Sequence, residues 1–231
     1  MIEKNPSYTV FLSGSTGYMG RRLIPLLLER GHTVRGLARP SSAGKLPPGC
    51  TVILGDALQS ASYASKIAPA DTFIHLVGVS HPSPWKEDEF RAVDLASIKE
   101  AISASRDSGI RQFIYVSVAH PAPIMKAYIN VRVECEELIR SAGLNATILR
   151  PWYVLGPGHR WPYILIPAYW LLERYPGTRE GARRLGLVSL EEMLRALWSA
   201  VETPERGLWI YEVPKIRDLA SEKQRPTASK V

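Results

Sequence analysis

The sequence is poor in cysteine and has no long apolar segment. Its two cysteines, Cys50 and Cys135, lie far apart and form no metal-binding spacing, so neither a disulfide framework nor a metal site is expected. No run of about 18 apolar residues occurs, which argues against a transmembrane helix. Residues 1–7 are polar and lack the apolar centre of a secretory signal. These absences predict a globular protein of the cytoplasm, where cysteines stay reduced.

Acidic residues are outnumbered by basic ones. The 231 residues include 29 Lys and Arg against 22 Asp and Glu, which gives a formal net charge of +7. This excess indicates either an anionic partner, such as a phosphorylated cofactor or a membrane surface, or simply a solvated basic surface. No base-reading motif is present, so nucleic-acid binding is not expected.

Short apolar runs alternate with longer segments of helical periodicity. This β-α-β alternation predicts a doubly wound parallel α/β sheet with helices on both faces. The expected strand order is 3-2-1-4-5-6, with a seventh strand near the end of the chain. Strands are expected at Tyr8–Ser13, Thr33–Ala38, Thr51–Leu54, Asp71–Val77, Gln112–Val116, Ala146–Leu149 and Leu208–Val213. Helices are expected at Gly17–Arg30, Ser60–Ile67, Glu87–Ser108 and Ile124–Ser141.

The pattern changes after Pro151, where the chain becomes rich in proline and aromatic residues. We expect a single domain over residues 1–231, in which 152–215 form a small C-terminal substrate or lid portion. Within it, Ser189-Leu190-Glu191-Glu192 matches a capping box that opens a helix to about Val201. Residues 216–231 are polar and mildly basic, which predicts a flexible tail.

Residues 160–172 form an aromatic, apolar segment that begins with Arg160. It fits a helix that covers the sheet edge with its side chains in the core. It also fits an apolar substrate pocket or a partner surface. A contact with a membrane surface is a further, less favoured reading.

A glycine-rich turn joins the first predicted strand to the first helix. Gly14 permits a tight turn, Gly17 lets a phosphate approach the backbone, and Gly20 lets the helix pack closely on the strand. The helix N-terminus offers free N–H groups to a pyrophosphate. The turn therefore predicts a dinucleotide bound in a Rossmann-type fold by Gly14, Ser15, Thr16, Gly17, Tyr18, Met19 and Gly20.

The end of the second strand indicates which dinucleotide is bound. Proteins that prefer NAD usually carry an acidic residue there for the ribose 2′-hydroxyl, and this segment has none. Arg39 is placed to meet a 2′-phosphate, and Ser41 or Ser42 can add a hydroxyl donor. We therefore predict that NADP or NADPH is preferred, with NAD as the alternative.

With these features the chain resembles the short-chain dehydrogenase/reductase superfamily, in its atypical and extended branches. The resemblance runs from Tyr8 to about Gly158. Within the superfamily, the chain is similar to NmrA-like proteins and to the Rossmann-fold accessory subunit of respiratory complex I. Besides the turn, it rests on Gly55-Asp56-Ala57, His75-Leu76-Val77-Gly78, Phe113-Ile114-Tyr115-Val116-Ser117 and Ile148-Leu149-Arg150-Pro151.

The resemblance implies further cofactor contacts. Asp56 and Ala57 would lie by the adenine, and the Asp56 carboxylate would accept from its amino group. From the residues alone, Asp56 could equally form a turn or cap a helix. His75, within an apolar strand, is expected to be structural. The remaining implied contacts are Leu76, Val77 and Gly78 along the nucleotide, and Pro151, Tyr153 and Val154 near the nicotinamide.

The superfamily's Tyr-x-x-x-Lys pair is altered in this chain. Tyr128 matches the tyrosine that transfers a proton, but Arg132 replaces the lysine, and this exchange is not neutral. Ser117 matches the first of the family's serines, while Ala119 occupies the position expected to polarise the substrate carbonyl. His120 could supply a donor there instead. Catalysis is thus assigned to Tyr128, Arg132 and Ser117.

These departures leave two main functions open. One is an NADP(H)-dependent oxidoreductase that acts on an unknown small molecule, with Tyr128 as acid and base. The other is a non-catalytic NADP-binding redox sensor or assembly subunit. An epimerase or dehydratase for nucleotide sugars ranks last, because only about 80 residues follow Pro151. The superfamily often pairs through its long helices, so a homodimer is a further expectation.

Overall fold

A seven-stranded parallel sheet forms the centre of the protein, with strand order β3-β2-β1-β4-β5-β6-β9. The computed structural model describes residues 6–106, 108–122, 124–157 and 179–222. The predicted order 3-2-1-4-5-6 and its seventh strand are confirmed. The strands of this sheet are β1 (Thr9–Ser13), β2 (Thr33–Ala38), β3 (Thr51–Leu54), β4 (Thr72–His75), β5 (Gln112–Val116), β6 (Ala146–Arg150) and β9 (Leu208–Glu212).

The central strands are apolar because both faces of the sheet are covered. In β1, Val10 and Leu12 point to one hydrophobic cluster, and Phe11, with the opposite orientation, points to the other. All five residues of β5 are buried. Nearly continuous apolar runs are typical of parallel strands in this position.

Helices cover the two faces of the sheet. They are α1 (Gly20–Glu29), α2 (three contiguous segments, given below), α3 (Lys126–Ser141), α4 (Arg179–Arg184), α5 (Leu190–Glu202) and α6 (Val213–Glu222). Buried side chains of α1, α5 and α6 share one cluster, and those of α2 and α3 share the other. The sheet is therefore sandwiched between two helical layers, as its sequence pattern predicts.

Helix α2 contains a segment that the periodicity does not reveal. It begins as α-helix at Glu87–Glu89, continues as π-helix at Phe90–Leu95, and returns to α-helix at Ala96–Arg106. A π-helical turn inserts extra backbone and re-aims the side chains around it, and such turns are frequent at functional sites. Phe90 and Asp94, both buried, lie in this segment.

Two helix predictions need correction. The helix expected over 60–67 is instead two 3₁₀ turns, Ser60–Ser62 and Ala64–Lys66, and the Ser62 hydroxyl bonds the Asp56 and Gln59 carbonyls. Such local side-chain bonds compete with regular helix. Helix α1 begins at Gly20 rather than Gly17, because the turn itself occupies the intervening residues.

The region after Pro151 divides differently from the expectation. A separate two-stranded sheet forms from β7 (Tyr153–Leu155) and β8 (Leu187–Ser189). However, β9 and α5 belong to the main sheet and its helical layer, so residues 152–215 are not all a lid portion. The tail expected from residue 216 is also too long, because α6 continues to Glu222 and buries Ile216 in the core. The aromatic segment 160–172 lies outside the described residues.

The capping box at α5 is confirmed and gives a stability prediction. The Glu192 N–H donates to the Ser189 hydroxyl at 3.1 Å, and the Ser189 N–H donates to the Glu192 carboxylate at 2.6 Å. Replacing Ser189 with Ala leaves a helix N–H without its acceptor and should lower the free energy of unfolding by about 1 kcal/mol. Urea denaturation followed by circular dichroism measures this change.

Ser141→Ala is the matched control, because Ser141 is an exposed serine at the end of a helix. Its effect should stay within about 0.5 kcal/mol. Equal stability of both variants and the unmodified protein would show that the cap contributes nothing.

Candidate functional site

The turn after β1 is held tight by its glycines. Gly14 has a φ of +74°, and the Gly17 N–H donates to the Gly14 carbonyl at 3.0 Å. A Cβ on Gly20 would lie 2.4 Å from the Gly14 carbonyl oxygen, so no side chain fits there. The first turn of α1 carries neither an acidic side chain nor a side-chain cap. Although the Arg21 and Arg22 N–H groups donate to the Gly17 and Met19 carbonyls, the partial positive charge of this helix end is not offset by an acidic side chain and favours an anion.

A cleft of about 460 Å³ opens beside this turn, at the carboxyl edge of the sheet. Ligands of open parallel sheets bind at this edge, where the strand order reverses. The cleft is lined by Gly14, Gly17, Tyr18, Met19, Gly20, Leu76, Val77, Gly78, Val79, Ser80, His81, Pro82, Val116, Ser117, Val118, Tyr128, Arg132, Pro151, Trp152, Tyr153 and Val154. It therefore brings most of the predicted site residues together, from the glycine turn to Tyr128.

Several lining residues were not predicted. Val79 to Pro82 follow β4, Val118 follows β5, and Trp152 stands between two predicted contacts. Each of these residues lies in a loop that follows a strand whose end was already assigned to the site. The rule that loops after parallel strands meet at one edge could have found them.

Two predicted turn residues do not line the cleft. The Ser15 hydroxyl is buried and donates to the Leu37 carbonyl at 2.5 Å, so it fastens the turn to β2 rather than facing a ligand. Thr16 is not among the lining residues either. The backbone of the turn, and not these side chains, forms the cradle.

The residues predicted around the adenosine lie outside the cleft. Arg39 and Ser41 are exposed at the start of a 3₁₀ turn, Pro40–Lys45, directly after β2. Asp56 accepts the Leu58 N–H at 3.0 Å, so the turn-forming alternative describes its observed contact. Neither Asp56 nor Ala57 lines the cleft, which leaves their adenine contacts predictions.

Tyr128 and Arg132 both face the cleft from α3. The Arg132 guanidinium lies 5.1 Å from the centre of the Tyr128 ring. The Phe90 ring packs against the same tyrosine ring, with 4.9 Å between the ring centres and the two planes tilted. Burial raises the pKa of Tyr128 above its ordinary value, and the positive charge of Arg132 opposes that shift only in part. Tyr128 is therefore a phenol, and not a phenolate, at neutral pH.

Arg132 is held by three internal acceptors. Its Nη2 lies 2.6 Å from the Asp94 carboxylate, and its Nη1 donates to the Tyr115 hydroxyl and the Val116 carbonyl. Asp94 in turn accepts the Val79 N–H at 3.0 Å. Burial raises the pKa of Asp94, whereas Arg132 and this N–H lower it. The sequence assigns Arg132 to the family's lysine position, but it did not indicate this buried ion pair.

Ser117 is similarly engaged. Its hydroxyl lies 2.5 Å from the Glu136 carboxylate, which also binds Arg150, and Arg150 continues to Glu212 at 2.9 Å. Burial disfavours the charged form of Glu136, but hydrogen bonds with His120, Arg150 and Ser117 outweigh it and lower the pKa of Glu136 to about 2. Glu136 is thus a carboxylate, and Ser117 must donate its single hydroxyl proton to it.

Two histidines near the site have different surroundings. His75 contacts the hydroxyls of Ser13 at 2.8 Å and Ser97 at 3.2 Å, and burial lowers its pKa to about 3. This neutral, enclosed ring is structural, as expected. His120 lies 3.5 Å from the Glu136 carboxylate, so its nearest charged contact is that carboxylate.

Neither a membrane-spanning helix nor a metal-binding cluster occurs among the described residues. In residues 6–106, 108–122, 124–157 and 179–222, no helix has the length and apolar character needed to span a membrane. Across the same ranges, no three His, Cys, Asp or Glu side chains are grouped as metal ligands.

Comparisons with known proteins agree with this geometry. The family described as NAD(P)H-binding matches residues 14–164. The ceramide reductase of Caulobacter vibrioides is 26% identical over 203 residues, which cover 86% of this chain and 62% of that protein. The photosystem II assembly factor Ycf39 of Cyanophora paradoxa is 29% identical over 150 residues, covering 62% of this chain and 44% of that protein. This chain thus spans less than two thirds of either relative.

The fold has solved counterparts. The Bordetella bronchiseptica enzyme WbmH, solved with NAD⁺, superposes with a TM-score of 0.67 at 21% identity, over 94% of this chain and 80% of that one. This likeness concerns the fold, whereas the family match extends over more than half of the chain and includes the glycine turn and Tyr128. The chain therefore belongs to the NAD(P)H-binding family of the short-chain dehydrogenase/reductase superfamily, whose cofactor is a nicotinamide dinucleotide.

Proposed function

We propose that this chain is an NADP(H)-dependent oxidoreductase that reduces a carbonyl group, with Tyr128 as the proton donor. One observation carries the proposal: a single cleft contains both the glycine turn and the Tyr128 side chain. A dinucleotide with its pyrophosphate at the turn can then extend along the same cleft towards Tyr128. The ceramide reductase relative supports a reductive chemistry.

The residues present fit the dinucleotide. Any side chain at Gly14 would collide with the backbone of Leu76 at 2.7 Å, and one at Gly20 with the turn itself, so the turn presents only backbone at these two positions. The open N-terminus of α1 would bind the pyrophosphate. Leu76 to Gly78 would run along the nucleotide, and Pro151 to Val154 would border the nicotinamide.

Arg39 supports NADP over NAD. It is exposed beyond the end of β2, and β2 pairs directly with the strand that leads into the glycine turn. From Thr33 to Lys45 the sequence contains no acidic residue that would repel a 2′-phosphate or bind a free 2′-hydroxyl. The guanidinium of Arg39 would pair with the phosphate, and Ser41 is the nearest hydroxyl in the sequence.

The chemistry assigned to the chain is a proton transfer. When bound, the reduced nicotinamide would supply a hydride to the carbonyl carbon. The Tyr128 hydroxyl donates its proton to the carbonyl oxygen as negative charge develops there, and solvent returns a proton to the tyrosine. Arg132 acts on Tyr128 through its charge, which lies 5.1 Å from the centre of the tyrosine ring, while its Nη atoms contact Asp94, Tyr115 and Val116.

A second candidate is cofactor binding without turnover, as in a redox sensor or assembly subunit. This candidate is favoured because Arg132 and Ser117 contact acidic side chains inside the protein. Neither residue is then free to act as the lysine and serine at the matching positions act in the superfamily. The assembly-factor relative is a further argument for it. Both candidates share the same cofactor site and differ only in whether a hydride is transferred.

The first prediction concerns cofactor preference. Arg39→Ala should weaken NADPH binding by about tenfold or more, because one charge-assisted pair with the 2′-phosphate is lost, and should leave NADH binding unchanged. Isothermal titration calorimetry with both cofactors measures this. Lys45→Ala is the matched control, since Lys45 is an exposed cation in the same 3₁₀ turn. Equal affinity of the unmodified protein for NADH and NADPH would contradict the assignment.

The second prediction separates the two candidate functions. Tyr128→Phe should slow carbonyl reduction by about 10² to 10⁴-fold, because it removes a positioned proton donor, while NADPH affinity stays the same. Single-turnover oxidation of bound NADPH with a panel of ketones gives the rate. If the unmodified protein binds NADPH tightly but transfers no hydride to any ketone, the chain is a binding protein and the reductase assignment is wrong.

The third prediction follows from the raised pKa of Tyr128. Reduction needs the protonated phenol, so its rate should stay level from about pH 6 to about pH 10 and fall only above that range. Oxidation of the product alcohol needs the phenolate, so its rate should rise throughout the alkaline range. The pH dependence of kcat/KM in the two directions measures this, and a reduction rate that falls near neutral pH would contradict it.

A further inference from the structure

The cleft presents very little usable charge. Among its described lining residues there is no Asp, Glu or Lys, and Arg132 carries the permanent charge. The Asp94 carboxylate lies 2.6 Å from the Arg132 Nη2, and the two side chains are only 0% and 7% exposed. A ligand in the cleft therefore meets a neutralised ion pair rather than a cation.

Three of the five N–H donors of Arg132 are directed to groups inside the protein. Its Nη1 donates to Tyr115 and Val116, and its Nε is buried without a hydrogen-bond partner. The guanidinium lies against the backbone of Gly78, where a Cβ would come within 2.4 Å of Nη2. This close packing holds the group against Asp94 and Gly78 at the wall of the cleft.

The Ser117 hydroxyl has no proton left to donate to a ligand. Because its proton is donated to the Glu136 carboxylate at 2.5 Å, its oxygen can accept but cannot donate. It cannot polarise a substrate carbonyl or hydrogen-bond to a substrate carboxylate. Ser117 and Arg132 are thus both unsuited to holding an anionic substrate.

The walls that remain are largely apolar. Val79, Pro82, Val118 and Trp152 line the cleft beyond the glycine turn, with the polar side chains of Ser80, His81 and Tyr153 between or beside them. Two exposed apolar side chains stand close by in sequence: Trp85, 89% exposed and three residues after Pro82, and Ile124, 53% exposed and four residues before Tyr128. Chain geometry keeps each within roughly 10 to 14 Å of a lining residue. Exposed apolar side chains thus occur in the loops that follow β4 and β5, although Lys86 also contacts the carbonyl of the lining residue Ser80 at 3.3 Å.

We propose that the substrate is an uncharged, predominantly apolar ketone, and that Asp94 sets this selectivity by neutralising Arg132. This deepens the proposed function and rests on it. The ketone oxygen meets the Tyr128 hydroxyl, and the rest of the molecule contacts the mainly apolar walls of the described cleft. Substrates with a carboxylate or phosphate are rejected, because they would lose hydration without gaining a countercharge.

The test compares two ligands of equal chain length, 2-decanone and 2-oxodecanoate, which differ in a terminal carboxylate beside the ketone. Binding to the full chain is measured by calorimetry with saturating NADP⁺, so no turnover takes place. The unmodified protein should bind the ketone at least about tenfold more tightly than the oxo-acid. Equal or tighter binding of the oxo-acid would overturn the proposal.

Asp94→Asn tests the role of the carboxylate. It uncovers the charge of Arg132 and should shift the affinity ratio towards the oxo-acid by about tenfold. Glu134→Gln is the matched control, because Glu134 pairs with Arg91 at 3.2 Å on the exposed side of α3 and should leave the ratio unchanged. An unaltered ratio in a folded Asp94→Asn protein would refute the assignment to Asp94.

Unpairing a buried arginine can prevent folding, so a second variant is included. The double substitution Asp94→Asn with Arg132→Gln removes both charges and should keep the preference for 2-decanone. A double variant that loses this preference would overturn the proposal even if the single variant does not fold. Because binding is measured without hydride transfer, a protein that selects the ketone but never reduces it would disprove the proposed reaction and leave the ligand class standing.

Discussion

The close approach of backbone segments at the glycine turn is the constraint on which the site depends. A Cβ at Gly14 would meet the backbone of Leu76, and a Cβ at Gly20 would meet the carbonyl of Gly14. These contacts bring β1, the exit of β4 and the start of α1 within van der Waals distance of one another. The cleft exists because the loops after β4 and β5 then leave the sheet at the same edge as the open N-terminus of α1.

A second constraint is the buried pair of Arg132 and Asp94. The free energy lost when two charges are removed from water can exceed the free energy gained from their attraction. Such a pair is therefore weak evidence for stability. Its geometry is more informative: one carboxylate oxygen faces Arg132 and the other accepts the Val79 N–H. The pair thereby links helix α3 to the loop that lines the cleft, and it fixes the charge that Tyr128 experiences.

The features predicted from the sequence are those with a local signature. Alternating apolar runs gave the sheet order, the spacing of Gly14, Gly17 and Gly20 gave the turn, and the separation of Tyr128 and Arg132 placed both on one helix face. The small β7–β8 sheet was missed because each strand has only three residues. So short a run has no periodicity that separates it from a loop.

The partners of the site residues could not be predicted for a different reason. Asp94 meets Arg132, and Glu136 meets Ser117, only after the chain has folded, and neither acid belongs to a recognisable motif. The π-helical segment that aims Phe90 and Asp94 towards α3 is equally invisible, since its residues are ordinary helix formers. The sequence indicated which groups line the cleft. Only the contacts in the folded protein show which of these groups already donate their proton to, or pair their charge with, another residue.

This distinction bears directly on the choice between binding and turnover. A family member with a free lysine and a donating serine can hold a carbonyl from several sides. In this chain the corresponding groups are engaged by Asp94 and Glu136, and Tyr128 is the family's catalytic group that faces the cleft without such a partner acid. A reaction is then possible only if the shape of the apolar walls places the carbonyl, because a proton donor is effective only within hydrogen-bond distance. The decisive property of this cleft is consequently its fit to an apolar ligand rather than the charge at position 132.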